Sequence, residues 1–457
     1  MTQAVPPDRI LGLASAIPPI DRFPSVDELV DEFAALAEQE PDTVRRRRIG
    51  SSRLGEPIHE VVIGTGDQHA LVIGGVHPNE PIGSPTTLHL ARTLAADAQL
   101  REDLGYTWHI IGCVDPDGMR LNEGWFSCTL DRAGYGREFF RPASDEQVEW
   151  TFPLAYKDLY FDRVMPETLA LMRLIDEIQP AFMCTLHNGE IGGVYYYVSA
   201  PAPELYPMLH AIPRHLGIPL TSGEPEAPFI PQYATGIYGD TGVEKHYEYA
   251  LSLGLDPKEG MVSGTSSAAY AAKYGTFTVV SELPYWIHPD AEDATSSSIP
   301  YPEVLRDRSE VLADLGERIT SVLTEAGPDL SLDSPFLRAM RQFAPHFLES
   351  ARQEARRAEL ADNDRLATVA EVFSGTDLAH GYRMRYGGMT LRLLEAEINA
   401  GNGTPRIRGQ YRRLRAVYDE WGAEAVRATP AETLPINALV GVQLGAILAG
   451  AVHVRER

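Results

Sequence analysis

Three cysteines in 457 residues, Cys113, Cys128 and Cys184, are too few and odd in number for a disulfide framework. Cys113 and Cys184 stand in apolar, strand-like runs, which reads as buried free thiols and fits a reducing cytoplasm. Positive charge is scarce too: 40 Lys and Arg stand against 64 Asp and Glu, a net charge of −24. That balance speaks against non-specific nucleic-acid binding and against docking on an anionic membrane. A secretory signal is not read either, because Met1–Pro7 lacks a basic start followed by an apolar stretch. The longest apolar segment, Ala438–Val454, is interrupted by Gln443 and several glycines, so a buried or amphipathic helix is expected instead of a membrane span. No internal repeat is evident. What remains is an ordinary globular composition, 44% hydrophobic, long enough for one large domain and an addition.

Against that background, three short apolar runs stand out by how they end. ALVIGGV, residues 70–76, has the length and composition of a buried parallel strand and delivers His77-Pro78-Asn79-Glu80. AFMCTL, residues 181–186, ends at His187, and TFTVVS, residues 276–281, ends at Glu282. Open α/β sheets place their ligands at the carboxyl ends of strands. Two neutral imidazoles and one carboxylate give Zn²⁺ three protein ligands and leave a position for water, which is the catalytic arrangement. Such a zinc lowers the pKa of water and polarises a carbonyl. A nearby carboxylate then moves the proton to the leaving amine, and Glu282 is the candidate. Singly, each residue has a blander reading: His77 in a turn, Glu80 as an acid at a helix start, Glu282 at a solvated strand end.

This H-x-x-E, followed by His187 and then Glu282 on a late strand, resembles the zinc metallocarboxypeptidase family, the carboxypeptidase A-like enzymes. Asp115-Pro116-Asp117-Gly118 resembles the family's N-P-D-G turn, and His187-Asn188 leads through Gly192-Gly193 into a tyrosine-rich strand at 194–199. Ser263-Gly264 approaches the catalytic strand as in the family. The resemblance spans roughly residues 45 to 325. It implies one zinc per chain on His77, Glu80 and His187, with Glu282 as general base. It also implies arginines for the substrate's carboxylate and for the oxyanion. Among Arg132, Arg137 and Arg141, Arg141 is taken as the carboxylate anchor and Arg137 as the oxyanion contact, although the family's asparagine–arginine pair is absent. Asn188 and Ser267 complete the expected substrate-binding set. Asn122 and Glu123 are candidates for orienting groups, and Trp125 and Phe126 for a pocket wall. The family's mobile tyrosine falls at Gly260, which leaves its role vacant or to Tyr238, Tyr270 or another loop tyrosine. Its specificity position falls at Ser267, small and uncharged, which argues against a pocket dedicated to lysine or arginine and does not demand a large aromatic.

The βα alternation implies an α/β fold: a mixed, mainly parallel, doubly wound sheet flanked by helices, with an α-helical C-terminal extension. We divide the chain into a helical lead-in at 1–45, a catalytic domain at 46–328 and a helical extension of three to five helices at 329–457, punctuated at Gly401-Asn402-Gly403 and Pro430. Ser25 caps an expected helix at 25–38, and strands are expected near 45–50 and 57–64 around the Gly55-Glu56-Pro57 turn. VRRRR at 44–48 reads as a solvated strand end. The Pro- and Gly-rich stretch 216–240 is expected to be a long surface loop over a pocket. The extension is open to three roles: covering the pocket mouth, forming a homo-oligomer interface, or bracing the core.

Three functions follow. The first is a cytoplasmic zinc carboxypeptidase that releases a C-terminal amino acid from a short peptide or an amide-linked conjugate. The second is a zinc amidoacylase resembling the aspartoacylase and desuccinylase branch. The third is a non-catalytic, zinc-stabilised binding protein. Free-carboxylate recognition favours the first and an acidic acyl group the second, and turnover separates both from the third.

Overall fold

The computed structural model describes residues 5–127, 131–223, 225–258, 263–428 and 431–457. Cys128, Gly260 and Pro430, which carried expectations above, lie outside the described residues, as does the start of Met1–Pro7. Nine strands make one mixed sheet. They are β1 (Val44–Ser51), β2 (Pro57–Ile63), β3 (Gln68–Ile73), β4 (Tyr106–Ile111), β5 (Phe182–His187), β6 (Tyr195–Val198), β7 (Gln232–Ala234), β8 (Ile237–Tyr238) and β9 (Phe277–Glu282). Across the sheet they run β1-β2-β4-β3-β5-β9-β6-β8-β7. The centre, β4-β3-β5-β9, is parallel, and β2 and β6 join it antiparallel on either side.

The helices around it include α1 (Pro7–Ser15), α2 (Val26–Gln39), α3 (Gly83–Ala96), α4 (Pro166–Ile178), α5 (Tyr301–Ala326), α6 (Pro335–Arg357), α7 (Val369–Asn399), α8 (Pro405–Ala428) and α9 (Ile436–Arg455). The central strands alternate between two apolar layers, as a period of two requires. Ala70, Val72, Cys184 and Val279 enter the layer shared with α2, α3 and α9. Leu71, Ile73 and Met183 enter the opposite layer with Leu171, Leu174 and Ile175 of α4. A sheet covered on both faces explains why these runs read as continuously apolar instead of alternating. Ser25 caps α2 through a capping box with Glu28, as its sequence predicts. The arginines of β1 are met by neighbours: Arg46 by His59, and Arg47 by Glu60 and Glu177.

Two expectations change. The stretch 216–240 is not loop throughout, because β7 and β8 lie in it and extend the sheet beside β6. Its glycines and prolines mark turns between very short strands, with Gly236 at φ +63°. The tail also divides. Helices α6, α7 and α8 pack with α5, whereas α9 returns to the sheet against β9, β5 and α3. Helix α9 is long and apolar enough to cross a membrane by length and composition, yet 83% of its apolar window is buried. Gly450 lets it approach closely: an added Cβ would stand 2.6 Å from a ring carbon of Phe182.

Candidate metal and active site

The site forms where β3, β5 and β9 end. After Ile73 the chain turns through Gly74-Gly75, where Gly75 has φ +66° and an added Cβ would meet the Met119 side chain at 2.9 Å. The turn presents His77 and Glu80 beside His187, the last residue of β5. In the parallel pairing of β5 with β9, His187 lies directly opposite Glu282.

His77, Glu80 and His187 each offer a ligand atom within 4.8 Å of the others, and all three are buried. His187 Nδ1 lies 3.0 Å from Glu80 Oε2 and 3.7 Å from Glu282 Oε1. The two imidazole rings sit 5.0 Å apart. His77 Nδ1 is buried with no hydrogen-bond partner among the described residues, which is costly for a polar nitrogen. Burial and then Arg141 hold this imidazole well below its ordinary pKa, hence neutral, as a ligand must be. For His187 burial also works against the charged form, but Glu282 and Glu80 outweigh it and carry the ring up to about 9. The acids around His187 favour a positive charge at this point, and a divalent metal would supply it. The donor set and the orphaned nitrogen both fit zinc.

Glu282 approaches His187, and burial pushes its carboxyl well above the usual range against the pull of that imidazole. A buried carboxyl held beside a candidate metal-ligand imidazole is the kind of group that serves as a general acid–base.

The remaining expected residues fall into different settings. Arg141 lines the cavity, and its Nη1 donates to Glu80 Oε1 at 3.0 Å and Asn79 Oδ1 at 3.4 Å. Arg137 does not line it. Its guanidinium forms an ion pair with Glu395 of α7 at 2.5 Å, so the oxyanion role expected for it is corrected: the group is spent on holding α7. Arg132 pairs with Asp377 at 2.5 Å. Asn188 borders the cavity but works as a brace: Oδ1 accepts from Tyr285 Oη at 2.6 Å and Ile82 N at 3.4 Å, and Nδ2 donates to Leu283 O at 3.2 Å. These bonds tie the three segments carrying Glu80, His187 and Glu282, which leaves little of Asn188 for a substrate. Ser267 is fully buried behind the wall, where its N and Oγ donate to Glu149 Oε1 at 3.2 and 2.9 Å. Its expected direct contact with substrate is therefore replaced by an indirect one through Glu149.

Asn122 caps local carbonyls and Glu123 accepts from Val26 N at 2.9 Å. Trp125 and Phe126 are core, packed edge-on against Phe23. Tyr238 borders the cavity, whereas Tyr270 faces Asp176 elsewhere. Cys113 and Cys184 are free thiols, as expected.

Several site residues were not foreseen. The cavity, about 860 Å³, is walled by Glu149 and Trp150, by Tyr195 and Tyr197 of β6, and by Arg385 and Tyr386 of α7. Of the roles open to the tail, α6 and α7 take the first and cover one side of the mouth. Below the site, Gln443 of α9 donates from Nε2 to His187 O at 3.0 Å and Ser281 O at 3.4 Å, and accepts from Thr86 Oγ1 at 2.8 Å. Its signal in the sequence was the polar interruption of an apolar run. Glu149 and Arg385 carried no such signal.

A buried His-Glu-His set beside an ionisable glutamate, at the carboxyl ends of parallel strands, defines a zinc-hydrolase type of centre. Residues 29–249, a little under half of the chain, match the model of the zinc carboxypeptidase family. No curated protein matches it. Among solved structures, carboxypeptidase A from Helicoverpa armigera is 15% identical, with 77% of this chain and 80% of that one covered at a TM-score of 0.40. A metallo-carboxypeptidase from Burkholderia cenocepacia is 16% identical over 57% and 60% of the two chains, with a TM-score of 0.37. The murein-tripeptide amidase from Escherichia coli O157 is 19% identical over 52% and 82%, with a TM-score of 0.27.

Proposed function

We propose that this protein is a zinc-dependent hydrolase that releases a C-terminal amino acid from a short peptide or an amide-linked amino-acid conjugate. The observation that carries the reading is His187 standing opposite Glu282 on paired strands, with the ligand atoms of His77, Glu80 and His187 gathered within 4.8 Å. His77, Glu80 and His187 would hold one zinc ion per chain, which supplies a Lewis acid for the scissile carbonyl and makes water acidic enough to attack near neutral pH. Glu282 accepts the proton that water gives up and returns it to the leaving nitrogen. Arg141 reaches the same corner through its bond to Glu80, so its remaining N–H groups are placed for the carbonyl oxygen or the carboxylate of the bound residue. In that position it takes up both tasks that the sequence divided between Arg141 and Arg137. Asn188 and Gln443 hold the strand ends in place. With Cys113 and Cys184 as free thiols, a reducing cytoplasm is the setting we infer.

The test is hydrolysis, followed by mass spectrometry, of a pool of short peptides with free or amidated C-termini together with N-acyl amino acids. The zinc-loaded protein is expected to remove single residues from free-carboxylate peptides. Glu282→Gln should lower turnover by about 10²–10⁴-fold, the usual worth of a positioned acid–base, with zinc content unchanged by metal analysis. Turnover retained in that variant would remove Glu282 from the mechanism, and cleavage confined to N-acyl amino acids would make the protein an amidoacylase.

A further inference from the structure

The cavity keeps an uneven charge account. Each of its arginines already faces a carboxylate: Arg141 has Glu80 at 3.0 Å, Arg357 has Glu354 at 2.8 Å, Arg308 lies 3.5 Å from the same Glu354, and Arg385 is paired with Glu190. Among the acids, Glu226 accepts from the hydroxyls of Tyr195 and Tyr197 at 2.7 and 3.0 Å, and Glu292 accepts from Ser222. Glu149 is different. It is 4% exposed and borders the cavity, and one carboxylate oxygen takes both donors of Ser267 while the other, Oε2, has no partner.

A buried carboxylate with one oxygen unmatched is unfavourable unless something supplies a donor or a positive charge. The surroundings have room for it. Ser263, Ser266, Ala268, Ala269 and Ala272 border the cavity on the segment that carries Ser267, and all are small. The location is close to the chemistry, since Trp150, the next residue, stands 5.9 Å ring to ring from His77. Burial lifts the Glu149 carboxyl, with His187 and Ser267 drawing it back, to about 6, so it is ionised at neutral pH.

We propose that Glu149 is a specificity-determining residue that receives a cationic group, an ammonium or guanidinium, on the amino acid the enzyme releases. Ser267 contributes no charge but fixes the carboxylate that does, and the neutral residue at that position is therefore compatible with a charged pocket. The proposal rests on the hydrolytic reading for its substrate, but its charge preference is measured independently of turnover.

The experiment compares kcat/KM of the zinc-loaded protein for acyl-peptides ending in lysine and arginine with the near-isosteric neutral norleucine and citrulline. A charge-assisted bond to a buried carboxylate is worth about ten- to a hundredfold in this ratio. Glu149→Gln should bring the lysine-to-norleucine ratio near one, and Glu149→Asp should keep part of the preference, which separates charge from packing. Alongside, calorimetry reads binding of free lysine against norleucine to the same zinc-loaded proteins. Equal handling of charged and neutral residues by the wild type, or a preference that survives Glu149→Gln, overturns the proposal while hydrolysis stands. Lysine-selective binding lost in Glu149→Gln, with no cleavage of any peptide, upholds the pocket and overturns the hydrolytic reading instead.

Discussion

Helices α7 and α9 come from the same tail and meet the same site, but they do so by opposite means. Helix α7 approaches with charge. Its Arg385 pairs with Glu190, which also accepts from Tyr135 Oη at 2.8 Å, and its Asp377 and Glu395 take Arg132 and Arg137. Helix α9 approaches with apolar surface, nearly every residue from Leu439 to Ala451 being buried, and it spends one polar side chain, Gln443, on the strands that end at the metal. The first contact shapes the mouth of the cavity from the side. The second fixes the backbone under the ligands. A wall built from long-range ion pairs can change with substrate, whereas a layer packed on the sheet belongs to the catalytic fold itself.

The contrast can be broken from either side. Arg385→Met is expected to have the largest effect, since it leaves the part-buried Glu190 without its cation: stability should fall by about 1.5–3 kcal/mol, the usual worth of a hydrogen bond to a charged group. Chemical denaturation of the zinc-loaded protein measures this, and a loss under about 1 kcal/mol, typical of solvent-screened pairs, would mean that ion pairs do not hold α7 in place. Gln443→Leu comes next. It leaves the carbonyls of His187 and Ser281 without their donor, at about 1–3 kcal/mol for unsatisfied buried groups, and zinc affinity measured by chelator competition should drop. Unchanged affinity would make α9 a packing element with no hold on the site. The smallest effect is expected from Tyr285→Phe, which removes one bond to Asn188 and should cost about 1 kcal/mol. A zinc affinity that falls less than in Gln443→Leu would rank the two braces, and the reverse order would make Asn188 the main one.

Much of the central sheet was legible because its strands are covered on both faces and end in residues that do not belong in a core. His77, Glu80, His187 and Glu282 were visible for that reason. The setting of Arg137 was not. What Arg137 does depends on Glu395, 258 positions away, and no local pattern reports such a partner. The same holds for Glu149, whose meaning comes from Ser267 across 118 positions. The strands within 216–240 were missed because at two or three residues they are too short for periodicity to show. The tail was read as one extension because α6 to α9 share helical patterning, and only tertiary packing separates a wall from a core layer.

The position of Gln443 also orders events in time. A chain leaves the ribosome from its amino end, so His77, Glu80, His187 and Glu282 are all exposed to solvent, and to any metal present, before residue 443 has been made. Until α9 docks, the strand ends carrying His187 and Ser281 lack the donor that pins them, and the apolar layer beneath β5 and β9 is bare. The nascent protein thus passes through a stage in which the ligands exist but the centre does not. Completion of the centre therefore waits on α9, although its four chemical residues all precede that helix in the chain.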